Sequence, residues 1–303
     1  MIHSMGLSRY HFRPGRGLLI SLGLGLSLLL SSCSLKFFYN QLDALIPQYV
    51  EDLVSLDDAL AEQLDQRTRV LLHWHRSTQL PEYAAWMQQA QRDVLAGPSA
   101  QQVLDHLTRL DGFWQSLSRA VNEQMAVLLP RLDTGQREQL FASLAEKNQE
   151  FREEHIDIGE QERIEQYTER LQDSFERWLD DLSEPQQRLI ERTARQLVST
   201  AELRLQRRQA WQQGIREILD SSSHEGDKSR RLLKFLQGFE QFDNAAMQQA
   251  TDHNRRLLAQ LTAQVATSMN VPQRTHFVDT SNDYIDIFRE LAADAETNQK
   301  CCA

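Results

Sequence analysis

Apolar residues recur along most of this chain at alternating steps of three and four, which places them on one face of an α-helix. The pattern is clearest over residues 228–269, where one stripe contains Leu232, Phe235, Leu236, Phe239, Phe242, Ala246, Leu257, Leu258, Leu261 and Val265. Segments that alternate apolar and polar residues, as half-buried strands do, are nearly absent from the sequence. The pattern therefore predicts an all-α protein.

Prolines, glycines and capping residues separate the apolar stripes and set the helix boundaries. They predict helices over residues 39–50, 53–77, 82–96, 99–129, 136–156, 161–181, 185–220, 228–269 and 272–295. Each stripe must be covered, and without strands only other helices can cover it. We expect one elongated helical bundle of about eight or nine helices, because about 35–40 residues at 1.5 Å each span roughly 55–60 Å.

The start of the chain has the layout of a secretory signal. Arg9, Arg13 and Arg16 precede an apolar run over residues 18–30, and small residues follow directly. The segment Leu30-Ser31-Ser32-Cys33 resembles the lipobox of bacterial lipoproteins, in which the cysteine is acylated and becomes the first residue of the mature protein. An uncleaved membrane anchor is the alternative, although the run is shorter than the roughly 20 residues that a transmembrane helix needs.

The lipobox resemblance implies a signal peptide over residues 1–32 and a single helical periplasmic domain over residues 33–303. A short flexible tether would begin that domain and a disordered tail would end it. Several acyl chains on Cys33 would attach the protein durably to a membrane, whereas one chain gives only marginal binding. Ser34 stands where an Asp would favour retention in the inner membrane, so in a Gram-negative host the resemblance implies the outer membrane, facing the periplasm.

The charge of the mature chain restricts its partners. Removal of residues 1–32 leaves 30 basic and 43 acidic side chains, a net charge of −13. Nucleic acid is excluded as a partner, because its binding depends mainly on Lys and Arg against phosphate. Cys301 and Cys302 lie side by side in the polar tail without zinc-ligand spacing, and no function is assigned to them.

Three predicted helix starts share one layout, with an apolar residue, a capping residue and a Gln three positions after the cap. They are Leu132-Asp133-Thr134-Gly135-Gln136, Leu182-Ser183-Glu184-Pro185-Gln186 and Met269-Asn270-Val271-Pro272-Gln273. The cap oxygen should accept a first-turn N–H, and Gln should accept the N–H of the cap. The layout is similar to the Leu-Thr-x-x-Gln motif of Spy-type periplasmic chaperones, small helical proteins that cradle unfolded clients. Capping boxes also occur in unrelated helices.

A second resemblance rests on several segments together. These are the lipobox, Tyr39-Asn40-Gln41-Leu42-Asp43, His73-Trp74-His75-Arg76 with Leu80-Pro81-Glu82-Tyr83-Ala84, and Leu182-Ser183-Glu184-Pro185-Gln186. They resemble an uncharacterised lipoprotein family of Gram-negative bacteria, known only as a domain of unknown function. The resemblance implies a lipoprotein with a helical body and brings no activity, cofactor or catalytic residue. In Leu56-Asp57-Asp58-Ala59-Leu60 a Leu stands where the family has Gln.

The Trp-His-Arg segment permits two interpretations. On a helix His73 and His75 point about 200° apart, so they cannot share a metal ion. In the first interpretation Trp74 packs inward and its neighbours form hydrogen bonds near a turn at residues 78–80. In the second, His73 and Arg76 form a polar anchor that engages a partner.

Two arginines interrupt an apolar seam. From residue 185 the seam reads Ile190, Ala194, Leu197, Ala201, Arg204, Arg208, Trp211, Ile215 and Ile218. An unpaired charge is too costly to bury, so Arg204 and Arg208 must each meet a carboxylate or lie beyond the edge of the core. A neighbouring helix that carries Glu162, Glu165 and Glu169 could supply the carboxylates. Alternatively, the arginines lie on a concave surface that binds an anionic ligand or client.

No sequence motif of catalysis, phosphate binding or metal binding is present. We therefore expect no cofactor except the lipid on Cys33 and no metal. The first hypothesis is a non-catalytic helical scaffold or adaptor that binds other envelope proteins. The alternatives are a chaperone-like holder of unfolded clients and an enzyme whose site is assembled from distant parts of the chain.

Overall fold

The computed structural model describes residues 32–238 and 244–301, with side chains for residues 35–238 and 244–295. The chain divides into two compact units, Met1–Gln41 and Leu42–Ala303. In the first unit the described part is one helix, α1 (Ser32–Asn40). Its first two residues, Ser32 and Cys33, are the last residue of the predicted signal peptide and the predicted acylated cysteine. The rest of the signal lies outside the described residues.

In the described part of the second unit all regular secondary structure is helical and there is no strand, which confirms the all-α prediction. Its α-helices are α2 (Leu42–Glu51), α3 (Asp58–Trp74), α4 (Leu80–Leu95), α5 (Ala100–Leu128), α6 (Thr134–His155), α7 (Glu160–Leu179), α8 (Glu184–Ala194), α9 (Ala201–Asp220), α10 (Glu225–Gln237), α11 (Ala245–Thr267) and α12 (Val271–Cys301). Several are long, as predicted, with 29 residues in α5 and 31 in α12. The backbone of α12 includes Cys301, whereas Cys302 lies outside the described residues.

The predicted helix over residues 185–220 is two helices, α8 and α9. Between them the side chain of Asn254 in α11 accepts a hydrogen bond from the Val198 N–H at 2.9 Å and donates one to the Val198 carbonyl at 2.7 Å. This amide satisfies backbone groups that a continuous helix would have paired internally, so the chain can leave the helical path there.

The predicted helix over residues 228–269 is also two helices, α10 and α11. Asn244 begins the second one, because its side chain accepts the N–H of Met247 at 2.8 Å. Phe239 and Phe242 of the predicted stripe lie outside the described residues. The described stripe residues Leu232 and Leu236 are almost fully buried, at 0% and 1% exposure.

The predicted turn at residues 78–80 is wrong, because α3 continues into α4 through a π-helical segment, His75–Gln79. Pro81 lacks an N–H, so the carbonyl of Ser77, four residues earlier, cannot accept the backbone hydrogen bond that an α-helix would form there. The helix widens instead, and the N–H of Leu80 donates to the carbonyl of His75. The hydroxyl of Thr78 donates to the carbonyl of Trp74 at 2.7 Å, which satisfies a further acceptor.

The core consists of several apolar clusters between neighbouring helices. One joins α7, α8, α11 and α12 around Ile190, Leu261 and Val265. A second joins α9 and α10 to α5 and α6 around Leu219 and Leu232. A third lies where the segment before α3 meets the segment before α6, around Val54 and Leu132.

The predicted capping boxes are confirmed at all three helix starts. The cap N–H donates to its Gln at 3.0 Å from Asp133, at 2.9 Å from Ser183 and at 3.1 Å from Asn270. The segment that begins α3 differs from these boxes, because Leu60 stands where they have Gln. Asp57 still caps α3, since its side chain accepts the Leu60 N–H at 2.9 Å. The helix therefore begins at Asp58 rather than at residue 53.

Candidate functional site

Arg204 and Arg208 lie on one face of α9, one turn apart, at the edge of the core. In α9 the seam residues Ala201, Ile215 and Ile218 are buried, but at the level of the arginines the buried position is that of Leu205, 1% exposed. Arg204 is exposed and Arg208 is partly buried. We expected each arginine of this seam either to meet a carboxylate or to lie beyond the edge of the core. The structure shows the second arrangement.

Both guanidinium groups lie over one aromatic ring, that of Phe151 in α6. The central carbon of the guanidinium lies 5.7 Å from the ring centroid for Arg204 and 4.6 Å for Arg208. Cations are attracted to the negative face of an aromatic ring at such distances. The helix that faces the arginines is thus α6, and not α7 with its three glutamates.

Burial and neighbouring charges shift the pKa of two groups at this surface. Burial, together with the charge of Arg204, lowers the pKa of Arg208, while Tyr49 acts in the opposite sense. Burial, and then the charge of Arg170, lowers the pKa of His155, while Glu154 acts in the opposite sense. The ring of His155 meets that of Phe151 edge-on at 4.7 Å.

Two carboxylates near this surface pair with another arginine. Arg152, next to Phe151 in the chain, lies 3.6 Å from Glu202 and 3.9 Å from Asp157. Over the part of the chain that the structure describes, no carboxylate forms an ion pair with Arg204 or Arg208. We call Phe151, His155, Arg204 and Arg208 the basic surface, and its chemistry suits an anionic group.

The Trp-His-Arg segment has a different environment. His73 is exposed, whereas Trp74, His75 and Arg76 are partly buried in and before the π-helical segment. The ring of His75 meets Tyr83 edge-on at 5.5 Å, and Tyr83 packs against Phe113 at 4.6 Å.

Burial lowers the pKa of His75 to about 4, so this imidazole is neutral at pH 7. These contacts favour the interpretation in which the segment packs inward. His73 is the one histidine of this segment that remains accessible.

Sequence reasoning missed a polar pocket of about 330 Å³ between α4 and α5. Its walls carry a contact between His106 Nε2 and the Asp93 carboxylate at 3.0 Å and an ion pair between Arg109 and Glu82 at 2.6 Å. These residues are 13 and 27 positions apart, so no local motif could reveal them. The other residues of its lining are Ala85, Trp86, Gln89, Gln102 and Asp105.

Metal-ligand clusters and membrane-spanning helices are both absent from the described ranges. No group of three or more His, Cys, Asp or Glu side chains lies close enough there to hold a metal ion. No described helix is both long and apolar enough to cross a bilayer.

Comparison with known proteins gives one match. No curated protein and no solved structure matches the chain. A family model described as a family of unknown function matches residues 52–247, a stretch that contains the Trp-His-Arg segment and the basic surface. Because that stretch is well over half of its length, the chain belongs to this family of unknown function (DUF6279).

Proposed function

We propose that this protein is a lipid-anchored envelope protein and a non-catalytic scaffold that binds an acidic partner protein on its basic surface. The observation that carries the proposal is the pair Arg204 and Arg208, which share the ring of Phe151 without a carboxylate partner in the described chain. The two arginines are one helical turn apart and both face Phe151, so their positive charges act together. An acidic segment of another protein would neutralise their positive charge.

The anchor is proposed from the sequence alone. Three arginines, the apolar run and Leu30-Ser31-Ser32-Cys33 support export and acylation of Cys33. With Ser34 after the cysteine, the protein would reside in the outer membrane of a Gram-negative cell and face the periplasm. We also propose that the family to which the chain belongs is a family of Gram-negative lipoproteins.

A scaffold fits the scattered distribution of exposed apolar side chains. Large exposed ones occur on separate elements, such as Tyr49 on α2, Val70 on α3 and Val271 at the start of α12. A holder of unfolded clients needs a contiguous apolar patch of several hundred Å². Leu110 and Trp114, one turn apart on α5, are the feature that favours the holder, the function to which the Spy-type resemblance also points.

The test is chemical crosslinking in intact cells, followed by mass spectrometry of the proteins that co-purify with the full chain. We expect one dominant partner whose capture is lost in the double variant Arg204→Ala, Arg208→Ala. Arg216→Ala is the matched control, because Arg216 also lies over an aromatic ring, that of Phe141 at 5.2 Å, but is paired with Asp220 at 3.6 Å.

Three outcomes are distinguishable. Loss of the partner in the double variant, with retention in the control, supports the scaffold. Capture of many unrelated proteins by all variants supports the client holder instead. Undiminished capture of a single partner by the double variant contradicts the assignment of the basic surface.

A further inference from the structure

An apolar cavity of about 380 Å³ lies between α2, α3 and α5, closed at one end by the segments before α3 and α6. Its walls are almost entirely aliphatic, with side chains such as Ile46, Leu64, Leu71, Val121 and Met125. The volume falls within the range of about 300–1,000 Å³ that is typical of small-molecule sites. Protein interiors pack with few voids larger than a water molecule, so a cavity of this size exceeds ordinary packing.

One polar group of this cavity carries a charge. Arg67 in α3 donates from Nη1 to the side-chain oxygen of Gln124 in α5 at 2.9 Å, which joins the two walls. Arg67 is half-buried, and no carboxylate forms an ion pair with it within the described ranges. A guanidinium has five N–H donors, so most of them remain available to an anionic group.

The helix α2 covers the cavity and is the least buried of its walls. The helix α2 contains no buried residue, although Ile46 and Val50 line the cavity, and it includes Pro47. Tyr49 on the same helix is 51% exposed. A helix with few buried contacts opens at a lower free-energy cost than the rest of the fold, so α2 provides a route of entry.

We propose that this cavity binds the acyl chain of a single-chain anionic amphiphile, with the anionic head group held by Arg67. An aliphatic cavity with one cation at its wall matches the two parts of such a molecule. A fatty acid and a lysophospholipid share this chemistry, since each has one acyl chain and a carboxylate or phosphate. The inference is independent of the partner surface and of the lipid on Cys33.

The experiment uses the full chain with Cys33→Ser, so that an acyl group at that position cannot compete for the cavity. The fluorescent fatty acid cis-parinarate is the probe, and palmitate, lysophosphatidylglycerol and the uncharged hexadecanol are the competitors. We expect stoichiometric binding of the probe and displacement by all three. Arg67→Gln should weaken palmitate about tenfold, as expected for the loss of a charged hydrogen bond, and leave hexadecanol unchanged.

Two matched controls distinguish effects inside the cavity from effects on the exposed surface of α3. Arg69→Gln removes a neighbouring arginine that is 66% exposed and pairs with Asp65, and it should leave every affinity unchanged. Leu64→Phe narrows the cavity and should weaken all competitors, whereas Val70→Phe, at a position that is 64% exposed, should not. Circular dichroism of each variant verifies the helical fold.

Stronger displacement by palmitate identifies a free fatty acid as the better ligand, and stronger displacement by lysophosphatidylglycerol identifies a phospholipid product. Either result supports the proposal. Absence of probe binding by the parent chain overturns it, and so does an equal loss of palmitate affinity in Arg67→Gln and Arg69→Gln. Because Arg67→Gln removes no apolar side chain, the test does not depend on whether Leu64→Phe folds.

Discussion

Gln186 and Gln273 exchange two hydrogen bonds in the interior, at 3.1 and 2.8 Å, and so connect the first turns of α8 and α12. Each is also the capping-box Gln of its own helix, and they are 1% and 2% exposed. Gln273 additionally donates to the carbonyl of Asp181 at 2.8 Å. Two local capping motifs thus become one long-range tertiary contact.

Substitution of either member of this pair should destabilise the fold markedly. Gln186→Leu or Gln273→Leu removes the exchange and leaves the N–H of its own cap, Ser183 or Asn270, without the Gln acceptor, which costs about 1–3 kcal/mol. The double variant should lose less than the sum of the two, because either single variant already removes the exchange. Urea unfolding of the four proteins gives the coupling free energy.

The matched control for the amide pair is Gln102→Leu. Gln102 accepts the Ser99 N–H at 2.9 Å in the same kind of capping box, but this box is exposed. The expected cost is only about 0.5–1 kcal/mol, because water replaces the lost partner. Additive losses in the pair, or an equal loss in the control, would contradict the account of a coupled buried contact.

Two glycines inside helices should respond to alanine with opposite signs. Gly112 in α5 has open space where the Cβ of an alanine would lie, so Gly112→Ala should stabilise the protein by about 0.5–1 kcal/mol. Gly214 in α9 faces the ring of Phe235 so closely that a Cβ would overlap it. Gly214→Ala should therefore cost about 1–3 kcal/mol. Thermal unfolding of both variants is the measurement, and stabilisation by Gly214→Ala would disprove the close approach of α9 and α10.

His75 should make stability depend on pH in the acid range. Its pKa is about 4 in the folded protein and 6.5 in the unfolded chain, so the unfolded chain binds more protons between these values. The free energy of unfolding should therefore fall as the pH falls from about 6.5 to about 4, by about 3 kcal/mol from this residue, and then level off. His75→Phe keeps an aromatic ring against Tyr83 and removes the titration.

The relevant quantity for His75 is the difference between the parent and His75→Phe, because carboxylates titrate in the same range in both proteins. Urea unfolding at several pH values between about 4 and 7.5 supplies it. A difference that stays constant over that range would show that this imidazole is not buried as described.

A charge reversal at Arg204 should separate stability from binding. Arg204→Glu replaces the repulsion between two arginines one turn apart by an ion pair in the favourable order, acid before base, worth about 0.2–0.5 kcal/mol. The loss of an exposed cation–π contact offsets it by about 0.5–1 kcal/mol. The thermal midpoint should therefore change little while the proposed partner is lost. A large fall in the midpoint would assign Arg204 to the structure instead.

Much of the local structure could be predicted from the sequence. Periodicity gave the helical class, and the rule that a Gln follows three residues after a cap located α6, α8 and α12 to within two residues. Such signals are local, because the cap, the Gln and the backbone they serve lie within one turn.

The features that were missed depend on contacts between distant residues. The break after α8 is stabilised by Asn254, 56 residues away, and the pairing of Gln186 with Gln273 joins positions 87 apart. The exposure of Arg204 depends on how α9 packs on its neighbours, since Leu205 and not Arg204 is buried there. The π-helical segment was open to prediction in principle, because Pro81 removes a specific backbone donor.

Acylation of Cys33 is the central claim, since the proposed envelope location and scaffold role both depend on it. The most direct measurement is metabolic labelling of cells with an alkyne analogue of palmitate, followed by detection of label on the purified full chain and on Cys33→Ser. The account predicts label on the parent chain in the membrane fraction and none on the variant. Equal label on both proteins, or an unlabelled parent chain, would contradict it.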